Sequence, residues 1–510
     1  MFQLDNQIFD VIIIGSGAAG INSAWPIVKA GKKVLMLDVG YTKFNQINDL
    51  DGNIDSSPKV RAPEFSYVFR DFKNFYNLNT SKFSPNGSLA MGGLSNAWSA
   101  LVSSFTNDEF DKYPFNRSDI INNYDSVAKR IGISGEKNGD LVDWLGTDYF
   151  MQSNLPIHPF IEKILKKYEK KKISIQKLNV KMGRHHQAIL SSKHINRPAF
   201  SHDSMDGYKN TNGSVYNSAD EIPELKKYQN FKYLDGYFVK DINEDDKKCN
   251  ITAQNIKDMS LKNFNSKILI LAAGTIGSTK LILKMKKYSN KPLVLKNTPM
   301  YPFAIFFPTE IKRNATYKAF THWHMSYVLQ FNDLPERYKI YGHLTPTDGI
   351  DEKELINRIP LPSIISKWIT KFIWPKMILG TCIFPGFFSN NQIELDTNDI
   401  LKITGNTDEK YISYVKKSKK ILSKTFRKLG GVFLTNPLPP ILGSDCHYAS
   451  TLPMTSNPKE MQTNENGLLY GNRNIYIVDG SVLTELPAKS HTFTIMANAD
   501  RISKHILKNF

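Results

Sequence analysis

The residues of this 510-residue chain whose types and spacing could do chemistry fall into a few short segments. Gly15-Ser16-Gly17-Ala18-Ala19-Gly20 has the G-x-G-x-x-G spacing, and Asp38 follows 18 residues after Gly20. Such a set binds a dinucleotide. Gly15 makes a tight turn, Gly17 lets backbone approach a pyrophosphate, Gly20 lets helix and strand pack, and the acid accepts from a ribose. Imidazoles are the side chains that titrate near neutrality and so serve as bases. His447 stands in Gly443-Ser444-Asp445-Cys446-His447-Tyr448, and His491, 44 residues on, follows Lys489-Ser490. His185-His186 and His322-Trp323-His324 invite a metal reading, but no third ligand lies nearby and no metal is expected. Cys446 beside His447 is read as packing.

These groups need elements to hold them. Phe9–Ile14 is a short β-branched run suited to a buried parallel strand. A small-residue helix follows to about Ala30, and Lys33–Asp38 is a second buried strand that ends on the carboxylate. The helix N-terminus would offer its unpaired N–H groups and positive dipole end to a diphosphate. Lys267–Ser278 repeats the strand–glycine–helix order, and Asn474–Gly480 with a helix over 492–507 repeats it again. Residues 229–256 alternate like a hairpin, with strands Phe231–Leu234 and Ile251–Ala253 around an acidic turn at Glu244–Asp246. The stretch 158–184, with Lys163, Lys166, Lys167, Lys170, Lys171 and Lys172, has apolar residues at helical spacing and is read as a solvated amphipathic helix.

Composition bounds the rest. Hydrophobic residues are 41% and charged ones 22%, which excludes a disordered chain. A formal net charge of +18 favours anionic partners. No nucleic-acid-reading motif accompanies it, so nucleic acid is not expected. Three scattered cysteines, Cys249, Cys382 and Cys446, build no disulfide framework. No signal peptide and no spanning helix are expected, and the chain reads as cytoplasmic.

The order of GSGAAG at 15–20, MGGLSNAW at 91–98, AAGTIGSTKLIL at 272–283, NIYIVDGSVL from 474 and TFTIMANADR at 492–501 resembles the glucose–methanol–choline (GMC) family of FAD-dependent alcohol oxidoreductases. Within it the chain is most similar to pyranose-oxidase-like and bacterial polysaccharide-locus members. The resemblance implies an α/β fold with an α+β substrate part: a Rossmann-type FAD-binding domain carrying a discontinuous, antiparallel-sheet substrate domain. The expected division is 1–135 for the first FAD-binding part and 136–228 for a substrate-side insertion. The second FAD-binding part would be 229–290, the substrate domain 291–440 and the catalytic C-terminal part 441–510. FAD would rest on Gly15, Gly17, Ala18, Ala19, Gly20 and Asp38. Its isoalloxazine would lie near Gly92, Gly93, Ser95 and Asn96, its adenine at the Val239 backbone, and its remaining contacts at Ala273, Gly274, Asp479, Gly480 and Thr492. Where relatives that bind flavin covalently carry a histidine, this chain has Ala97, which implies non-covalent FAD. Ser201–Gly207 resembles a cysteine-rich stretch of some relatives but has no cysteines, so no metal is expected there.

By the same resemblance His447 is the base that takes the hydroxyl proton, and His491 is the second catalytic residue, with Ser490 as its substitute. The implied reaction oxidises a CH–OH group, a sugar or glycan hydroxyl by preference, and hands electrons to an unidentified acceptor. Two alternatives stay open: oxidation of a lipid or sterol alcohol, and a flavin-binding electron-relay module.

On a helix from Ser363 to Trp374, Ile364, Ile365, Trp368, Ile369, Phe372 and Ile373 share one face, with Ser366, Lys367, Thr370 and Lys371 opposite. Met377–Phe388 continues the apolar run. Packing on the core is one reading. Docking of residues 363–388 on an anionic membrane surface, peripheral at its inner face, is the other.

Overall fold

The computed structural model describes residues 7–43, 66–201, 213–309, 324–347, 362–434 and 442–510. Part of His322-Trp323-His324 and most of Ser201–Gly207 lie outside the described residues.

The apolar N-terminal segment does what its composition requires. Ile8–Ile14 is a strand with parallel neighbours on both sides, Val34–Leu37 and Leu261–Leu271. Ile475–Ile477 adds to the far side of Leu261–Leu271, also parallel. Phe231–Leu234 closes the other edge, parallel to Val34–Leu37. Residues 229–256 thus differ from the expected hairpin. The hairpin strands are Tyr237–Glu244 and Cys249–Asn255, which extend the sheet along the first half of the 11-residue strand Leu261–Leu271. Phe231–Leu234 lies at the sheet edge with only Phe231 fully buried, and alternation in sequence does not distinguish a parallel edge strand from a hairpin arm.

Helices Ala18–Lys29, Gly274–Met285 and Thr492–Lys508 follow three of these parallel strands, so their N-termini gather at one edge of the sheet. Ligands bind there in open α/β sheets, at the carboxyl ends of the strands.

The substrate side is a six-stranded antiparallel sheet in the order Val432–Phe433, Met300–Phe306, Met377–Ile383, Ile340–Pro346, Met325–Leu329, Val180–Gly183. Helices Pro159–Gln176 and Tyr411–Lys428 pack on it, burying Phe160, Ile161, Ile164, Tyr168, Tyr411, Leu422 and Phe426 with the sheet's aromatic residues. A third, four-stranded sheet joins Leu293–Leu295, Asn391–Leu395, Leu401–Thr404 and Leu78–Ser81. Its Leu295, Ile393, Leu395, Leu401 and Ile403 pack in the same core as the parallel strands, so part of segment 291–440 belongs with the nucleotide side.

The segment 363–388 divides in two. Met377–Ile383 is an interior strand, and Ile378, Cys382, Phe384 and Phe388 are buried in the substrate-side core. A run enclosed in that way meets no bilayer, so residues 377–388 are removed from the membrane-facing segment. The helix is different. Over Ser363–Ile373 its Ser366 and Thr370 are fully buried, while Ile364 is 80%, Trp368 72% and Phe372 60% exposed.

Candidate active site

The first glycine segment is shaped partly by the protein and partly for something else. Gly15 has φ +96°, and a Cβ there would lie 2.5 Å from the Ala272 carbonyl oxygen, so the turn excludes any other residue. A Cβ on Gly20 would strike the Gly15 carbonyl oxygen at 1.9 Å, which makes Gly20 the contact between helix and loop. Gly17 is another matter. Its φ is −65°, and an added Cβ would meet only Gly93 Cα, at 4.0 Å. Nothing in the protein requires glycine there.

The helix that starts at Ala18 and Ala19 has no side-chain cap and no acid in its first turn, which leaves its N–H groups free for an anion. Asp38 accepts from Ser16 Oγ and, at 3.3 Å, from Tyr233 Oη, and its burial raises its pKa to about 6. Open space at a glycine with ordinary φ, an uncapped helix N-terminus and a half-buried carboxylate fit FAD. Gly17→Val should keep the fold but lower flavin affinity by roughly tenfold or more. Circular dichroism and the flavin absorbance of the purified protein check this, and undiminished flavin would remove the loop from the cofactor site.

The second glycine segment faces the first. Gly92 (φ +85°) and Gly93 (φ +59°) are left-handed, and Gly92 N donates to Ser16 Oγ at 2.9 Å. Ser95 and Asn96 spend their side chains inside the protein. Ser95 Oγ donates to the Gly92 carbonyl at 2.6 Å and accepts from Ser218 N at 3.0 Å. Asn96 Nδ2 donates to the carbonyls of Met91 and Gly93, both at 2.8 Å, and its Oδ1 accepts from Asn217 Nδ2 at 2.7 Å. These two hold the loop, and its backbone is what remains to meet a ligand.

At the neighbouring strand ends, Ala273 N donates to Ser278 Oγ, and Gly274 (φ +76°) has open space where a Cβ would go. Asp479 is buried, accepts from Ser278 Oγ, Ser481 Oγ and Ser481 N, and so positions Gly480 through its own turn. Val239 is buried in a strand beside an irregularity in register at Val239/Asp241, which disturbs the backbone ladder there.

The histidines converge on this edge. Thr275 Oγ1 donates to the Tyr448 carbonyl at 2.8 Å, and Ser450 N to the Gly480 carbonyl at 3.3 Å, which ties the His447 segment to the loops after two parallel strands. Cys446, the residue before His447, has φ +59°, a strained conformation for a side-chain-bearing residue. Burial pushes its thiol up to about 12, so it is no nucleophile. His491 precedes the Thr492–Lys508 helix, whose first turn has neither a side-chain cap nor an acid. The rings of His447 and His491 lie 5.0 Å apart at 79°. Ser490 Oγ turns toward Thr492 Oγ1 at 3.5 Å, so the ring opposite His447 is that of His491.

A relay not anticipated from the sequence sets the tautomer of His447. Asp445 Oδ2 accepts from Thr298 N at 2.9 Å and Thr298 Oγ1 at 2.8 Å, and Asp445 Oδ1 from Asn297 Nδ2 at 3.0 Å. His447 Nδ1 lies 2.9 Å from the same Thr298 Oγ1. A hydroxyl has one proton, and here it goes to the carboxylate. The hydroxyl therefore accepts from His447 Nδ1–H, and Nε2 keeps its lone pair. Burial holds His447 below its usual 6.5 although the Asp445 charge works the other way, and burial holds His491 well below it. Both rings are neutral at pH 7. His491 Nδ1 is buried without a hydrogen-bond partner, as expected of an atom that faces a substrate or cofactor.

Beneath His491 runs a fully buried ion pair. Lys489 Nζ donates to Glu109 Oε2 at 2.7 Å and to the Ser104 carbonyl at 2.9 Å, 4.1 Å from the Trp144 ring centre. It anchors the turn that carries Ser490 and His491.

The other histidines are placed as follows. His186 Nε2 lies 2.9 Å from the Glu136 carbonyl and its Nδ1 2.7 Å from Tyr149 Oη, so its neutral ring is held by the protein. His185 Nδ1 (3.0 Å), His343 Nδ1 (3.1 Å) and Tyr341 Oη (3.1 Å) surround Ser326 Oγ. Burial and the nearby His447 lower His343 to about 3. His324 stacks edge-on to His158, with ring centres 6.0 Å apart. Among the described residues no group of His, Cys, Asp and Glu could hold a metal ion.

Comparison with known proteins bears on the C-terminal motifs directly. Residues 441–499, which contain His447, Ser490 and His491, match the family model described as GMC oxidoreductase. No curated protein matches the sequence. The structure is similar to formate oxidase from Aspergillus oryzae RIB40, studied for its FAD modification, with a TM-score of 0.66 and 12% identity over 99% of each chain. It is also similar to pyridoxine 4-oxidase from Mesorbium loti, with a TM-score of 0.58 and 12% identity over 98% of this chain and 99% of that one. At such identity the likeness is one of fold.

Proposed function

We propose, for a chain that carries the C-terminal unit of the GMC oxidoreductases on a fold shared with two oxidases, that it oxidises a CH–OH group with non-covalently bound FAD. The observation that carries this reading is the His447 ring, kept neutral by burial, held in one tautomer by Thr298 and Asp445 with a free Nε2, and faced by His491. In this reading His447 Nε2 takes the hydroxyl proton. His491 donates to or accepts from the substrate oxygen and steadies its developing charge. Bound FAD would supply the two-electron acceptor for the hydride that leaves the carbinol carbon as the alcohol becomes a carbonyl. Gly15–Gly20 with Asp38, the Gly92–Asn96 backbone, Ala273–Gly274, Gly480 and Thr492 would hold it.

A sugar or glycan hydroxyl is the preferred substrate. His343 stands near His447 and is joined through Ser326 Oγ to His185 and Tyr341, and so polar and uncharged a neighbourhood matches a polyol better than a bare hydrocarbon. A lipid alcohol is the second reading, and the exposed apolar helix Ser363–Ile373 favours it. Anaerobic mixing of the flavin-loaded protein with sugars, nucleotide-sugars and long-chain alcohols distinguishes them. Bleaching of the flavin by sugars alone is expected. Bleaching by long-chain alcohols alone selects the second reading, and bleaching by none rejects both.

A further inference from the structure

Two features outside the flavin site lie at one end of the substrate-side sheet. The first is the helix Ser363–Ile373, which is inverted relative to the usual surface helix. Its small polar residues Ser366 and Thr370 pack inward, and Ile364, Ile365, Trp368 and Phe372 point away from the protein. Lys367 and Lys371 are exposed beside them, and Lys376 Nζ sits 4.6 Å from the Phe372 ring centre. At 11 residues the helix is about 16 Å long, so it can lie on a bilayer but cannot cross one.

The second feature is charge. The Pro159–Gln176 helix carries six lysines and two glutamates; the Tyr411–Lys428 helix carries six lysines, one arginine and no acid. Their net +4 and +7 account for most of the chain's +18. Some of this charge is answered locally, Lys166 by Glu162, Lys172 by Asp140 and Lys417 by Asp333. Exposed Lys170, Lys416, Lys420, Lys424, Arg427 and Lys428 keep that side of the molecule strongly positive.

The two features meet at Phe306–Phe307. Phe307 N donates to the Lys376 carbonyl at 2.9 Å, and the Phe307 ring lies 5.3 Å from that of Phe160 at the start of one basic helix. Phe306 pairs with Val432, which follows the other basic helix and is 52% exposed, as Leu434 is at 47%.

We infer that this end of the protein docks on an anionic lipid bilayer, with Trp368 and Phe372 seated among the acyl chains and the lysines of the two flanking helices over the headgroups. Charge complementarity selects this occupant. A second copy of the chain would bring +18 against +18, and a neutral apolar partner would leave the basic field unanswered. The inference does not depend on the reading of the flavin site.

Flotation of the flavin-loaded protein with vesicles tests it. Vesicles of phosphatidylcholine with about a third phosphatidylglycerol should bind it roughly tenfold or more tightly than phosphatidylcholine alone. The preference should fall in high salt. The double variant Trp368→Glu, Phe372→Glu changes exposed residues and should lose binding with its flavin content intact. Lys416→Gln, Lys420→Gln, Lys424→Gln should lose the preference for anionic vesicles. Three results would each overturn the inference: binding indifferent to lipid charge, equal flotation of wild type and the Trp368 variant, or a dimer in sedimentation that Trp368→Glu dissociates.

Discussion

His447→Ala should lower kcat/KM for the alcohol by roughly 10³-fold while FAD stays bound, because a positioned base contributes about 10²–10⁴ to such a reaction. Anaerobic flavin bleaching isolates the step, since it needs no second electron acceptor. An electron-relay module would keep its reduction by a protein donor in the same variant, so the result also decides between enzyme and relay. The pH profile carries more information. The base must be neutral, and burial holds His447 below its usual 6.5. Activity should therefore be flat through pH 7 and fall only as pH drops past that lowered value. The Asp445 carboxylate opposes the burial, so Asp445→Asn should move the acid limb to lower pH still. A limb that stays in place would deny Asp445 its positioning role. Thr298→Val should reduce kcat more than it raises KM, since it frees the ring to adopt the wrong tautomer without touching the substrate.

Lys489→Met should cost more stability than any surface change, about 3–5 kcal/mol, because it strands the Glu109 carboxylate in a fully buried position. A denaturation midpoint measured by near-UV circular dichroism should fall accordingly. The double variant Glu109→Gln, Lys489→Met should recover most of the loss, since it removes both charges together. If it recovers stability but not turnover, the pair serves to hold His491 opposite His447. If the single variant is as stable as the parent, the pair contributes nothing net.

What was legible in the sequence was local. The strand, turn and helix over residues 8–37 follow from an apolar run, three glycines and small residues within about thirty positions, and the C-terminal strand and helix follow the same logic. The site's supporting residues were illegible for the opposite reason. Thr298 lies 147 positions before Asp445 and Glu109 380 before Lys489, and neither stands in a patterned segment. A threonine in a connection carries no mark of the carboxylate it will meet. The amphipathic pattern of Ser363–Ile373 was plain, but pattern alone cannot say which face turns inward. There the buried face is the polar one, made of Ser366 and Thr370. Met377–Phe388 failed differently. An apolar run looks the same whether it will meet lipid or, as it does, two neighbouring strands.

The order of strands in the parallel sheet has a consequence for biosynthesis. Ile8–Ile14 waits for Leu261–Leu271 as a partner, and that strand in turn waits for Ile475–Ile477. At roughly 5–20 residues per second, the ribosome needs on the order of half a minute or more to deliver the last of them. Until Leu261–Leu271 has emerged the first strand keeps an unpaired apolar edge, and Leu269–Leu271 keep one until Ile475–Ile477 arrives. The nascent polypeptide should therefore depend on chaperones that shield such edges, and the yellow cofactor can be taken up only after translation is nearly finished.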